Sequence, residues 1–179
     1  PNTFHMWSSL YYGLKGRMGL DAELMESTAA LCRDFAVSDE RVFLTGFSDG
    51  GFTSWWLGSY FPHVVAGIAP EVGNWQYRNV AHVGLYNVAT LVVDGWSDGG
   101  FIQENIARWH ALRNAGYDIA GLIGQHGHAT VPFETAEEFK RIMDWAATKR
   151  LNRWPKRVRY ATWNLTRHRG FWASIERMI

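Results

Sequence analysis

The pentapeptide Gly46-Phe47-Ser48-Asp49-Gly50 sets a serine between two glycines. A serine hydroxyl attacks a carbonyl only when a base takes its proton, and the base works best when an acid orients it. The G-x-S-x-G spacing supplies the other requirement, a sharp strand-to-helix turn that lifts the hydroxyl above a sheet edge. The chemistry would be acyl transfer. A near copy occurs downstream: the runs Gly-Phe-Ser-Asp-Gly-Gly-Phe (46–52) and Gly-Trp-Ser-Asp-Gly-Gly-Phe (95–101) differ at one position. Ser48 and Ser97 are therefore both candidate nucleophiles. His126 and His128, on either side of Gly127, are candidate bases, and Glu71, Asp94, Asp98 and Asp118 are candidate acids.

The elements that must position these residues can be read from apolar patterning. Asp21 to Phe35 predicts a helix capped by Asp21, with an apolar stripe of Leu24, Ala29, Leu31, Cys32 and Phe35. Short apolar runs at 41–45, 64–69, 90–94 and 117–123 predict buried strands. Helices are expected over 50–60, over 101–115 with Gly116 as its stop, and over 132–149. Strands alternating with helices of this length imply a parallel sheet with helices on both faces. Gly51, Ser54 and Gly58 are small residues that favour close packing of the helix after Ser48.

On this frame Ser48 follows the first strand and opens a helix. Asp98 follows a later strand and His128 the next one, in the serine–acid–histidine order of α/β folds that carry this turn. Each then sits at the carboxyl end of its own strand, where open α/β sheets bind ligands. Ser97 is the weaker nucleophile. The acid before His128 that would remain for it, Asp118, starts a strand at the opposite end of the sheet. His128 is preferred over His126 as base because it directly follows Gly127. Glu71 stays open as an alternative orienting acid, and Asp94 reads as a turn residue behind Asp98. The backbone N–H of Asp49 is the expected oxyanion donor.

Residues 39–51 resemble the nucleophile region of the α/β-hydrolase superfamily, nearest to esterases of the dienelactone-hydrolase and polyhydroxybutyrate-depolymerase groups and to the prolyl-oligopeptidase-like group. Residues 90–98 resemble the family's strand-Gly-x-x-Asp stretch, which assigns the acid to Asp98. Residues 123–128 resemble its Gly-His ending, which assigns the base to His128. The resemblance spans about residues 20–150. It implies the C-terminal part of an α/β-hydrolase fold and a serine hydrolase of carboxylic esters, with a peptidase of the prolyl-oligopeptidase type or an inactive interaction module as alternatives. Asp49 stands where many relatives carry Met or an aliphatic residue. The family's first strands and first oxyanion loop are not recognisable, so the chain is expected to be a piece of a larger domain. The strand at 41–45 would then lie at an open edge.

Composition narrows the remaining readings. Apolar residues make up 47% and charged residues 20% of 179 residues, which suits one globular domain. No apolar stretch reaches the roughly 18 residues of a membrane span, and no histidine has a partner at zinc-ligand spacing. Neither cofactor nor metal is expected, and the partner is a small ester or peptide. Cys32 is the single cysteine and reads as a core residue. Residues 1–20 lack a signal-peptide pattern, yet the chain opens at Pro1, so secreted and periplasmic compartments stay open. Ten tryptophans are present. Trp75 and Trp96, on loops at the carboxyl side, are the candidates for a substrate-binding wall.

The net charge of +1 is uneven. Residues 1–144 hold nine Lys/Arg and sixteen Asp/Glu, whereas 145–179 hold nine Lys/Arg and one acid, Glu176. These bases are interleaved with Trp154, Tyr160, Trp163, Phe171 and Trp172. Residues 1–150 read as the catalytic domain. Residues 151–179 read as a β-rich extension, a hairpin of strands at 156–163 and 171–177 and the start of a second β-rich domain. No nucleic-acid motif accompanies the charge, so no nucleic-acid partner is expected.

Overall fold

Strand β3, Ala89–Gly95, is buried at every position. A central strand with both faces covered is mostly apolar, and Leu91, Val92 and Val93 meet that need. The computed structural model describes residues 20–35, 37–73, 81–129, 135–162 and 168–177. Within them β1 (Phe43–Phe47), β2 (Gly67–Glu71), β3 and β4 (Ile119–Gly124) form one parallel sheet in the order β1-β2-β3-β4. As expected, β1 occupies an edge of that sheet.

Helices cover both faces. α1 (Leu20–Asp34), α2 (Asp49–Tyr60) and α3 (Gly100–Asn114) share one face, where Met25, Trp55, Leu57, Tyr60 and Leu112 pack with Leu44, Ile68 and Val92. α4 (Ala136–Ala147) lies on the other, where Ile142 and Trp145 pack with Ala69, Leu91, Val93 and Leu122. No helix among the described residues is long and apolar enough to cross a membrane.

Two expectations are corrected. The stripe on α1 is narrower than predicted. Cys32 is buried with Met25, but Ala29 is exposed, Leu31 is 56% exposed and the adjoining Phe35 72%. Residues seven apart, two helical turns, share a line down the helix, and Met25 on that line packs with the sheet residues. The helix also begins at Leu20, so Asp21 lies inside it rather than capping it.

The predicted strand over 156–163 is not formed within 156–162. The hairpin is shorter and later, pairing Arg169–Gly170 (β5) with Ala173–Ser174 (β6). The physical reason is that the 157–160 backbone and side chains bond to the body instead of to a partner strand. Asn87 donates from Nδ2 to the Arg157 carbonyl at 2.8 Å and accepts from the Arg159 N–H at 3.3 Å. The Arg159 guanidinium sits 3.9 Å above the centre of the Tyr86 ring. The Tyr160 hydroxyl donates to the Tyr60 carbonyl at 3.1 Å.

Candidate active site

Ser48 stands between β1 and α2 with φ 53° and ψ −110°. A non-glycine residue in positive-φ backbone costs on the order of 1–3 kcal/mol, and such strain persists only when its surroundings impose it. The surroundings here are explicit. The Ser48 N–H donates to the Glu71 carbonyl at 2.9 Å, and the Ser48 carbonyl accepts from Phe52 N–H at 3.0 Å. Gly46 faces the backbone of Gly50 so closely that a Cβ on Gly46 would lie 2.8 Å from it. The first glycine of the motif is thus demanded by close approach of strand and helix, as the sequence implied.

The second copy folds differently. β3 continues through Gly95, residues 96–98 make a turn, and Gly99 takes φ 57° and ψ −126° before α3 begins. The backbone shape held by Ser48 in the first copy is held by Gly99 in the second, two residues later in the motif. Ser97 is left exposed in the turn, while Asp98 is buried. The turn is pinned by Trp96 N–H to the Gly124 carbonyl and Ser97 N–H to the His126 carbonyl, both at 3.0 Å.

That pinning separates the two histidines. His126 gives its carbonyl to the Ser97 turn, and its ring lies nearly buried, with Nε2 3.9 Å from the Glu138 carboxylate. His128 emerges on the open side. Its Nε2 is 2.9 Å from Ser48 Oγ and its Nδ1 is 2.8 Å from Asp98 Oδ1. The carboxylate can only accept, so Nδ1 carries the proton and Nε2 is left to accept from the serine hydroxyl. The structure therefore joins Ser48, His128 and Asp98 in one line and leaves Ser97 and His126 outside it. Asp118 lies at the amino end of β4, paired with Lys149 at 2.8 Å.

The other predicted residues are placed less centrally. Asp49 is the first residue of α2. Its N–H is among the first-turn donors that no intrahelical carbonyl claims, at the positive end of the helix dipole. Trp96 is 56% exposed on the turn before Asp98. Trp75 lies outside the described residues. Glu71 is completely buried at the end of β2, on the α4 side of the sheet, and neither carboxyl oxygen has a hydrogen-bond partner among the described residues. Burial first, and the Glu138 carboxylate second, push it up to about 8, so it is a neutral acid at pH 7. It makes no hydrogen bond to His128, whose Nδ1 contacts Asp98 instead.

Sequence reasoning missed several neighbours. Phe47 and Phe101 flank the His128 ring at 5.0 and 5.7 Å between centroids. Asn105 on α3 is buried and donates to Asp94 Oδ2 at 2.6 Å. The matched heptapeptides held a signal for Phe101, because Phe52 and Phe101 end them at the same place. Asn105 carried none.

No protein-family model matches the chain, and no curated protein matches it in sequence. Solved structures do. Arabidopsis thaliana SOBER1 aligns over 74% of this chain and 65% of its own, with 18% identity and a TM-score of 0.54. The Bacillus cereus carboxylesterase aligns over 72% of this chain and 59% of its own, at 16% identity and a TM-score of 0.58. This chain has the α/β-hydrolase fold. The enterobactin esterase FES from Shigella flexneri shares that fold over 74% of this chain and 39% of its own, at 16% identity and a TM-score of 0.56. The chain thus spans less than two thirds of the length of each of these hydrolase-fold neighbours.

Proposed function

We propose that this chain carries the catalytic centre of a serine hydrolase that cleaves carboxylic esters. The observation behind the reading is the continuous contact Ser48 Oγ–His128 Nε2–His128 Nδ1–Asp98 Oδ1, at 2.9 and 2.8 Å. His128 takes the hydroxyl proton as Ser48 Oγ attacks the ester carbonyl. The Asp98 carboxylate holds the imidazole in the required tautomer and stabilises the imidazolium that forms. The Asp49 N–H, at the start of α2, faces the negative charge developing on the carbonyl oxygen. Collapse of the tetrahedral intermediate expels the alcohol, which leaves with the proton from His128. Water, deprotonated by the same ring, then cleaves the acyl-serine. The Ser48–His128 contact is solvent-exposed among the described residues.

Preference for esters over peptides draws on the neighbours that share the fold, among them a carboxylesterase and an enterobactin esterase. The test is labelling by a fluorophosphonate probe, with Ser48→Ala as control. Turnover of a short-chain chromogenic ester against an aminoacyl-proline amide then separates the two substrate classes. A wild-type chain that the probe leaves unlabelled would overturn the reading in favour of an inactive module.

A further inference from the structure

The second histidine, His126, is seated over the ends of the strands that lead to the acid and the base. Two glycines make the seat. A Cβ on Gly124, the last residue of β4, would lie 2.5 Å from His126 Cδ2 and 2.6 Å from Nε2. A Cβ on Gly95, the last residue of β3, would meet the His126 carbonyl and, at 2.5 Å, its Nδ1. Neither place takes a side chain unless the imidazole or the backbone moves. The His126 side chain is 7% exposed.

The ring makes one hydrogen bond among the described residues. Nδ1 lies 2.9 Å from the Gly127 carbonyl, which can only accept, so Nδ1 carries a proton. Nε2 is buried and has no hydrogen-bond partner among the described residues. The Glu138 carboxylate stands 3.9 Å from it, beyond a hydrogen bond. The Gly127 carbonyl belongs to the planar peptide group whose nitrogen is that of His128. Holding that oxygen fixes the plane from which the His128 side chain departs, where glycine itself restricts the chain little. The His126 backbone reaches the other way. Its carbonyl accepts from the Ser97 N–H at 3.0 Å, and the next N–H, that of Asp98, returns to the Gly95 carbonyl at 3.0 Å.

We infer that His126 is a positioning residue for the triad. Its carbonyl holds the turn that presents Asp98, and its Nδ1–H holds the peptide that presents His128. One residue thereby fixes the distance between the acid and the base. Without the Nδ1–H the Gly127–His128 peptide can rotate, and the imidazole leaves the line from Asp98 to Ser48. A displacement of about 1 Å at such a site costs on the order of a hundredfold in rate. The inference rests on the triad reading above.

The two ring nitrogens can be tested apart. Counted from Cβ, the amide nitrogen of Asn stands where Nδ1 stands, and that of Gln where Nε2 stands. His126→Asn should keep fluorophosphonate labelling within about threefold of wild type, and His126→Gln should slow it by about tenfold to a hundredfold. A merely structural role ranks the variants the other way, because Asn leaves the larger void. Equal losses, or Gln above Asn, overturn the inference. A second readout needs neither a variant nor turnover. Nitrogen–proton correlation spectra of the wild-type imidazoles, above the ordinary histidine titration range, should show His126 as the Nδ1–H tautomer. An Nε2–H tautomer has no proton for the Gly127 carbonyl and overturns the inference even where Ser48 is labelled. A wild-type chain that the probe leaves unlabelled removes the hydrolase reading, and the His128 Nδ1–H signal then decides the inference. That signal kept in His126→Asn and lost in His126→Gln upholds it, whereas the same outcome in both variants overturns it.

Discussion

Phe52 and Phe101, the final residues of two heptapeptides that differ at one position, meet edge to face with ring centroids 6.1 Å apart. The copies therefore converge on one place, beside His128, while their serines do different things. Ser48 occupies the strained turn and Ser97 an exposed bend. Ser97→Ala should leave fluorophosphonate labelling within about threefold of wild type. Ser48→Ala should abolish it, a loss of at least about a thousandfold in rate. Labelling that survives in Ser48→Ala and disappears in Ser97→Ala would reverse the assignment.

The two glycines of the first motif should respond oppositely to alanine. A Cβ on Gly46 meets the Gly50 backbone at 2.8 Å, whereas a Cβ on Gly50 meets nothing within 4 Å. Gly46→Ala should cost about 1–3 kcal/mol through forced separation of strand and helix. Gly50→Ala, inside α2, should be neutral or stabilising by up to about 1 kcal/mol. Urea midpoints of the two variants would settle the comparison, and equal losses would refute it.

Glu71 makes stability depend on pH in an uncommon direction. Its folded-state value of about 8 lies above the ordinary 4.5. Between those values the folded chain holds a proton that the unfolded chain has released. The unfolded state thus binds fewer protons, and stability falls as pH rises through that window. Glu71→Gln removes the penalty. It should stabilise the chain by on the order of 2–5 kcal/mol at pH 8.5 and change little at pH 4. Thermal unfolding at the two pH values measures this, and equal shifts at both would contradict it.

The basic tail should behave as a packed strap. Two of its bases are engaged on the body: Arg159 over Tyr86, and Arg153 beside Asp39 and Glu40. Arg159→Ala should lower stability by about 1 kcal/mol through lost packing over the ring. A single-stranded oligonucleotide should show no salt-dependent binding at physiological ionic strength. Binding with a steep salt slope would assign the charge a nucleic-acid role instead.

How much of this protein the sequence determined follows from the range of the forces involved. Alternation of buried strands and helices is local, and so is the close approach that Gly46 permits. The four strands, α2, α3 and α4 were accordingly legible, as was the order that puts Ser48, Asp98 and His128 after successive strands. Other features arise only from contacts between segments far apart in the chain, and the tertiary structure decided those. Ser48 and His128, eighty positions apart, come within 2.9 Å because β1 and β4 end at the same edge of one sheet. The two near-identical heptapeptides turn differently because the His126 and Gly124 carbonyls hold the second one back for two residues. Arg157 to Tyr160 alternate like a strand but bond to Asn87, Tyr86 and Tyr60 on the body. The charge state of Glu71 depends on burial, which no local pattern encodes. Side-chain type and spacing set what each residue can do, and only packing decides which of them meet and how much water they keep.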